Sequence, residues 1–413
     1  MRKLTKYIAS VLVFLILVVN LTACKEAGNT EEAGNIAETG NNTETQTGEK
    51  TISLETKNIP DNEAIQFVEE MKIGWCLGNT FDAIDNNSLK DELEYERAWN
   101  GSYTTEEMID TVQEAGFNTV RIPVSWHNHL TDDDYTISEA WMDRVNEVVD
   151  WCIDRDLYVI LNIHHDNSTN YLYPSEEYAE QSIEYLTAIW TQLAERYKEY
   201  DEHLIFEAMN EPRLVGHENE WWIDPNNEDC IEAIECINRY NQVFVDLIRS
   251  SGGNNANRYL MCPGYAASPD GALNEGFSLP ADTVEHRLIV SVHAYTPYNF
   301  ALDAAGTDTW SMDNQNDINN MVGFMDKLYD KFIHEGIPVV IGEFGARNKY
   351  NNNEARTEFA AYYVAAARAR GMTCCWWDNN AFIGTGENFG LLNRVSCKWQ
   401  YPEIVEALMM YAE

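Results

Sequence analysis

Residues 204–213 read Leu-Ile-Phe-Glu-Ala-Met-Asn-Glu-Pro-Arg. An apolar run passes straight into Asn210-Glu211-Pro212. The residue before a proline is pushed out of the helical region into extended geometry. Glu211 is therefore expected at the very end of a strand, beside the amide of Asn210. In α/β barrels the C-terminal ends of the strands carry the chemistry. A second apolar run, Pro338-Val-Val-Ile-Gly, ends in Glu343. Two strand-end carboxylates, far apart in sequence, need a scaffold that brings them together.

That scaffold is legible on both sides of the opening stretch. Apolar strand candidates are Ile73–Asn79, Thr119–Pro123, Tyr158–His164, Leu204–Asn210, Arg258–Pro263, Leu288–His293, Pro338–Glu343 and Thr373–Trp377. Between them lie segments of helical period, among them Thr105–Glu114, Glu139–Asp154, Ser182–Tyr197 and Cys230–Arg249. Gly116, Gly336 and Gly371 fall where helices should stop. Strands alternating with helices predict an α/β fold, a (β/α)8 TIM barrel forming one catalytic domain over residues 58–413. The segment after Tyr401-Pro402 reads as a closing helix. No long apolar stripe is left over once the helices face the sheet, so a monomer is expected.

The first 23 residues have the plan of a signal peptide. Arg2, Lys3 and Lys6 precede an apolar core from Ile8 to Val19, then Leu21-Thr22-Ala23-Cys24. That core is shorter than the roughly 20 residues a spanning helix needs; an uncleaved anchor is the other reading. Leu21 to Cys24 resembles a bacterial lipobox. The resemblance implies cleavage before Cys24, lipidation of its sulfur, and a lipoprotein on the outer face of the cell membrane. Residues 24–57 are rich in Glu, Thr, Asn and Gly and contain no aromatic residue. Such a segment cannot bury enough apolar surface to order itself, so it reads as a flexible tether.

The net charge of −40 excludes nucleic acid and anionic lipid as partners, apart from the lipid anchor itself, because both would be repelled. Twelve Trp and 22 Tyr suit sugar binding, since sugars offer flat C–H faces to aromatic rings; core filling is the competing use. The nine cysteines include no Cys-x-x-Cys pair and no adjoining His cluster, so a structural zinc site is not expected. Cys374 and Cys375 read as small buried hydrophobes. Cys230 and Cys236 lie in a stretch that reads as loop or helix, and a disulfide between them stays open.

The polar residues at the strand ends point to the reaction. They are Arg121, Asn162-Ile-His164-His165-Asp166, Asn210-Glu211, His293-Ala-Tyr295, Glu343 and Trp377-Asp378. Two carboxylates across a cleft are what cleavage of a glycosidic bond requires, one protonated and one ionised. Arg121 near Glu343 would hold that group as a carboxylate. His293 and the like charge of Glu343 would help keep Glu211 protonated. Asn210 can donate to a sugar hydroxyl, and Tyr295 can donate to the nucleophile.

Together Asn210-Glu211-Pro212, Ile341-Gly-Glu343-Phe-Gly345, Arg121-Ile-Pro123, Asn162-Ile-His164-His165, His293-Ala-Tyr295 and Trp376-Trp377-Asp378-Asn379 resemble glycoside hydrolase family 5. The opening Gly74-Trp-Cys-Leu-Gly78-Asn79-Thr-Phe-Asp82 is similar to its bacterial endo-β-1,4-glucanases of subfamily 4. Cys76 departs from the small residue often found at that place. The resemblance covers about residues 70–405 and keeps the family's motif order. It implies a retaining, endo-acting cellulase without metal or organic cofactor. Glu211 matches the acid/base and Glu343 the nucleophile. Arg121, His164, Asn210, His293, Tyr295 and Trp377 match the residues lining the sugar next to the cleaved bond. Asn79 and His165 match positions touching the neighbouring sugar. Cellulose-type or mixed-linkage β-glucan is the expected substrate, with xyloglucan and β-mannan as alternatives. An oligosaccharide-binding lipoprotein without activity is the reading from another class.

Other residues carry structural readings. Glu207, four before Glu211, faces the barrel interior as a buried structural group. Adjacent residues on a strand point to opposite faces, so one metal would not take both His164 and His165. Asp166 and Asp378 read as loop hydrogen-bonders. His127 and His129 either border the cleft or belong to the loop. Trp221 and Trp222 either form a sugar platform or pack as loop core.

Overall fold

In the computed structural model, residues 52, 54–84 and 89–412 are described. The expected signal peptide, Cys24 and the tether up to residue 51 lie outside the described residues. Eight parallel strands close into one barrel. They are β1 (Ile73–Leu77), β2 (Thr119–Ile122), β3 (Tyr158–Asn162), β4 (Leu204–Glu207), β5 (Leu260–Pro263), β6 (Leu288–His293), β7 (Val339–Phe344) and β8 (Thr373–Asp378). The ring closes where β8 pairs with β1, Cys76 beside Trp377.

The helices sit where the period placed them. Thr105 caps Glu106–Glu114 by accepting from Met108 N, and Asn227 caps Glu228–Ser250 by accepting from Cys230 N. Side-chain oxygens of this kind satisfy amide groups that a helix start leaves open. Cys230 and Cys236 both lie on the helix Glu228–Ser250, buried and free. Six residues along a helix is about 600° of turn and 9 Å of rise, so the two thiols leave on different faces. The disulfide left open by the sequence is excluded.

Ile160, Ile205, Met261, Ile289, Val340 and Cys375 share one buried cluster inside the ring. Helix Glu63–Glu70 plugs its lower end: Phe67 stacks on Tyr259 at 3.6 Å between ring centres. Thr119 and Thr373, the first residues of β2 and β8, donate to backbone oxygens of Met71 and Val68. Higher in the ring Arg121, Glu207 and Ser291 are fully buried polar groups. The barrel is therefore oily at its floor and charged at its open end.

β2 stops one residue short of the sequence reading, at Ile122, and three strands stop two or three residues short. β1, β3 and β4 end at Leu77, Asn162 and Glu207, not at Asn79, His164 and Asn210. The residues beyond have left the ladder but keep their hydrogen bonds: His164 N donates to Val124 O and Asn210 N to Ile163 O, both at 2.8 Å. Irregular backbone with satisfied amides is what lets successive side chains face the cleft.

Candidate active site

Arg121 is the hub. Its Nη1 donates to Glu343 Oε1 at 2.7 Å, its Nε to Glu207 Oε2 at 2.9 Å, and its Nη2 to Asn210 Oδ1 at 2.8 Å. Nη2 also lies 2.7 Å from Glu207 Oε2. Nη2 further approaches His293 Nε2 at 3.3 Å, a hydrogen bond when that nitrogen carries no hydrogen of its own. Asn210 gives its oxygen to Arg121, while its amide nitrogen makes no hydrogen bond among the described residues. That nitrogen is free to donate to a sugar hydroxyl.

Glu211 and Glu343 face one another across His293. One oxygen of each carboxylate and one His293 nitrogen lie within 4.8 Å of each other. His293 Nδ1 is 2.9 Å from Glu211 Oε1 and 3.7 Å from Glu343 Oε1. Tyr295 donates to Glu343 Oε2 at 2.8 Å. Burial and the neighbouring Glu343 hold the Tyr295 hydroxyl well above its usual range, so it stays a donor. For His293, burial alone would lower the basicity. Glu343 and the contacts to Glu207 and Glu211 override it, raising His293 to about 9.

The expected effect of His293 on Glu211 is corrected by this geometry. Burial pushes the Glu211 carboxyl up, but the His293 hydrogen bond and charge outweigh it and hold it below the usual carboxylate range. In the resting site His293 therefore opposes a proton on Glu211. His293 Nδ1 and Glu211 Oε1 stand 2.9 Å apart, where one proton can pass between them.

His164 and His165 follow the end of β3. Burial, then His165 and Arg121, keep the His164 ring neutral, well below its ordinary range. The Asn162 amide donates to His164 Nδ1 at 3.2 Å, which leaves the ring hydrogen on Nε2. The ring lies parallel to Trp377, centres 5.8 Å apart. Trp377 reaches over Gly78, where a Cβ would lie 2.7 Å from the indole. The His164 and His165 rings stand 4.4 Å apart, and with Asp82 they offer ligand atoms within 4.8 Å of one another. The opposite-face argument against a shared ligand therefore fails, because these residues are no longer on a strand. Both Asp82 oxygens already accept from the amides of Asn79 and Thr80. Burial raises Asp82 to about 7. Asn79 sits at φ 58, a left-handed turn that asparagine tolerates.

Two loop readings resolve. His129 stacks on Trp141 at 3.5 Å, buried, and burial lowers it to about 3; it is core, not cleft border. His127 pairs with Asp166. Asp166 also accepts from Trp126 N and Tyr185, as a loop hydrogen-bonder should, and Asp378, the last residue of β8 rather than a loop residue, accepts from Trp75 Nε1 and Leu392 N. Trp221 and Trp222 are 49 % and 64 % exposed, so they are not loop core. Arg213 covers the Trp221 ring at 3.8 Å and comes within 3.8 Å of Glu211 Oε2. Trp222 meets Tyr298 edge-on at 5.6 Å. The sequence reading missed Trp99, half-exposed with its ring 5.7 Å from His165, since nothing local marks it.

A closed barrel whose open face gathers two facing carboxylates, sugar-sized aromatics and neutral ring donors belongs to the class of barrel-fold glycoside hydrolases. A family model for cellulase, glycosyl hydrolase family 5, matches residues 78–383. Endoglucanase 1 of Ruminococcus albus is 44% identical over 372 residues, covering 87% of this chain and 86% of the relative. A glycoside hydrolase 5 lichenase from Caldicellulosiruptor sp. F32, solved with cellotetraose, superposes with a TM-score of 0.87 at 57% identity, covering 88% of this chain and 99% of the other. A GH5-4 broad specificity endoglucanase from Ruminococcus champanellensis, solved with cellotriose, gives 0.79 at 49% identity, covering 86% and 100%. The chain belongs to glycosyl hydrolase family 5, and it is an endo-acting β-glucan hydrolase.

Proposed function

We propose that Glu343 is the nucleophile and Glu211 the acid/base of a retaining double displacement on β-1,4-linked glucan. The observation that carries this reading is the approach of the two carboxylates to within 4.8 Å, oxygen to oxygen. A retaining pair stands about 5–5.5 Å apart, whereas an inverting pair needs about 6.5–9.5 Å to admit a water. In the first step Glu343 bonds to the anomeric carbon. The bond to the leaving sugar breaks, its electron pair stays on the leaving oxygen, and the proton shared by Glu211 and His293 moves to that oxygen. Esterification removes a negative charge 3.7 Å from His293. The pair then holds a proton less tightly and stays empty, so Glu211 is a base when water arrives. In the second step water attacks the anomeric carbon, Glu211 takes its proton, and the ester bond to Glu343 breaks.

Mixed-linkage and cellulose-type glucans are the proposed substrates. The likeness to a lichenase, and to an enzyme solved with cellotriose, supports this choice. Trp222 with Tyr298 is assigned to the leaving-group side of the cleft, because the loop that follows Glu211 carries it. Residues 1–24 are assigned to export and lipid attachment, with 24–57 as tether and the outer face of the membrane as location. The enzyme is assigned as a monomer. Product release from barley β-glucan, carboxymethyl-cellulose, xyloglucan and glucomannan, measured side by side, tests the substrate. Cleavage of the first two above the others is expected; a preference for xyloglucan or glucomannan would reassign it. Fatty-acid labelling lost in Cys24→Ala tests the anchor.

A further inference from the structure

Glu343 sits where strand alternation would not put it. In a regular strand every second residue faces the same side. Val340 on β7 packs inside the ring, and Ile341 joins the cluster that holds the apolar residues of the helices. Continued alternation would turn Gly342 inward and Glu343 outward. Instead both face the interior. A Cβ on Gly342 would lie 3.2 Å from His293 Nε2, and Glu343 accepts from Arg121 and Tyr295. Phe344 then faces outward and stacks on Tyr363 at 4.3 Å. The register gives the cause. Ile341 pairs with Val292 and Cys374, but Glu343 is the residue beside His293 and Phe344 the one beside Trp376. Gly342 has a partner on neither neighbouring strand. One extra residue of this kind is a β-bulge, and it re-aims the side chain that follows.

We propose that Cys76 is a positioning residue of the reaction, whose thiol holds this bulge and with it the aim of Glu343. The inference rests on the assignment of Glu343 as nucleophile. Cys76 Sγ donates to Gly342 O at 3.3 Å, and both are buried. β8 runs between β1 and β7, so this bond skips a strand. A carbonyl held in a ladder points along the sheet to the adjacent strand. The Gly342 carbonyl meets a side chain on β1 instead, and so it turns into the ring. Cys76 is itself fixed by the closing pairs, beside Trp377 on β8 and Arg121 on β2. A thiol set in a rigid ladder thus pins the peptide next to the nucleophile. Burial first, then the neighbouring Cys375, push the Cys76 thiol well above its ordinary range, so it keeps its hydrogen as a donor. Without the thiol the carbonyl would lose this partner in a dry interior. The peptide that carries Glu343 would then be free to turn.

The test uses two pairs of variants in the full chain, Cys76→Ala with Cys76→Ser and Cys76→Val with Cys76→Thr. Within each pair the sizes are close, and only the hydroxyl member can donate. Two quantities are read. One is kcat and KM on soluble β-glucan; the other is the rate at which an activated 2-deoxy-2-fluoro-β-cellobioside labels Glu343. Loss of the donor should lower kcat and the labelling rate together by about ten- to a hundredfold, the scale of a small misplacement at the reacting centre, with KM little changed. Ser and Thr should recover most of that loss. A pair whose two members lose rate equally would make Cys76 a space-filler. An Ala or Val variant at wild-type kcat would leave the bond idle. Either result overturns the proposal. Melting midpoints show which pair is folded, and one folded pair decides. A wild type that the fluoro sugar fails to label at Glu343 would strike at the nucleophile assignment instead, a separate failure.

Discussion

Arg121 meets four partners, Glu207, Glu343, Asn210 and His293, from one rigid plane, and that sets its replacement apart from a charge loss. A lysine keeps the charge but offers a point donor in place of the fork. Arg121→Lys should therefore lower kcat by about a hundredfold or more, through misplacement of Glu343 and Asn210, which steady-state kinetics checks. Glu343→Gln removes the nucleophile and should cost at least about a thousandfold in product release, with glucan binding retained. His293 links pH to stability. It is raised to about 9 in the fold from an ordinary 6.5. Its contribution is complete below the ordinary value and is lost as pH rises through about 9. Asp82, raised to about 7 from 3.8, weakens the fold only as pH climbs within that lower window. The melting midpoint should therefore fall between pH 7 and 9 by way of His293, and scanning calorimetry at half-unit steps would show it. A midpoint that is flat across that window would deny His293 its charge. These residue-scale facts were partly legible in sequence. Glu343 lies near the end of β7 and His293 ends β6, as expected, whereas Glu211, Asn210 and His164 lie past the last ladder residues of β4 and β3. The direction of the His293 effect was not legible, because it depends on Glu343, Glu207 and Glu211 all closing on one buried ring.

The elements carry these residues through their ends. The eight strands were readable because each is a short apolar run between helical periods, and all eight form. Their last residues were misjudged by two or three positions at β1, β3 and β4. Apolar character continues past the ladder there: Ala208 and Met209 are buried although β4 has ended. Loop contacts were the least legible. Trp221 and Trp222 are adjacent in sequence yet differ in setting, one under Arg213 and one against Tyr298. Pattern alone cannot assign them, because both partners come from outside their own run. Trp222→Ala should raise KM for long glucans several-fold more than for short ones, with the melting midpoint nearly unchanged, because the exposed ring packs only edge-on against the exposed Tyr298. An equal effect on both lengths would remove Trp222 from the cleft. Gly78→Ala should damage the site from β1, because the added methyl meets the Trp377 ring.

At the scale of the molecule, the domain closes on itself through its N-terminal entry. Tyr329 donates to Asn58 O at 2.8 Å, Asn62 donates to Gly336 O at 2.9 Å, and Lys57 N bonds to Ala369 O. Removal of residues 1–51 should leave melting and kcat unchanged. Removal through residue 62 should lower the melting midpoint clearly, since it strips these ties and the Asn62 cap of the plug helix. The charge of −40 is expected to repel a polyanionic partner, and it suits a neutral polymer. The measurement that bears most directly on the central claim is the configuration of the first product. Proton NMR would follow β-1,4-glucan oligosaccharides in the seconds after enzyme is added. Two carboxylates this close predict that the β-anomer appears first and the α-anomer only later, by mutarotation. An α-anomer appearing first would mean inversion, and it would contradict Glu343 as nucleophile and Glu211 as acid/base.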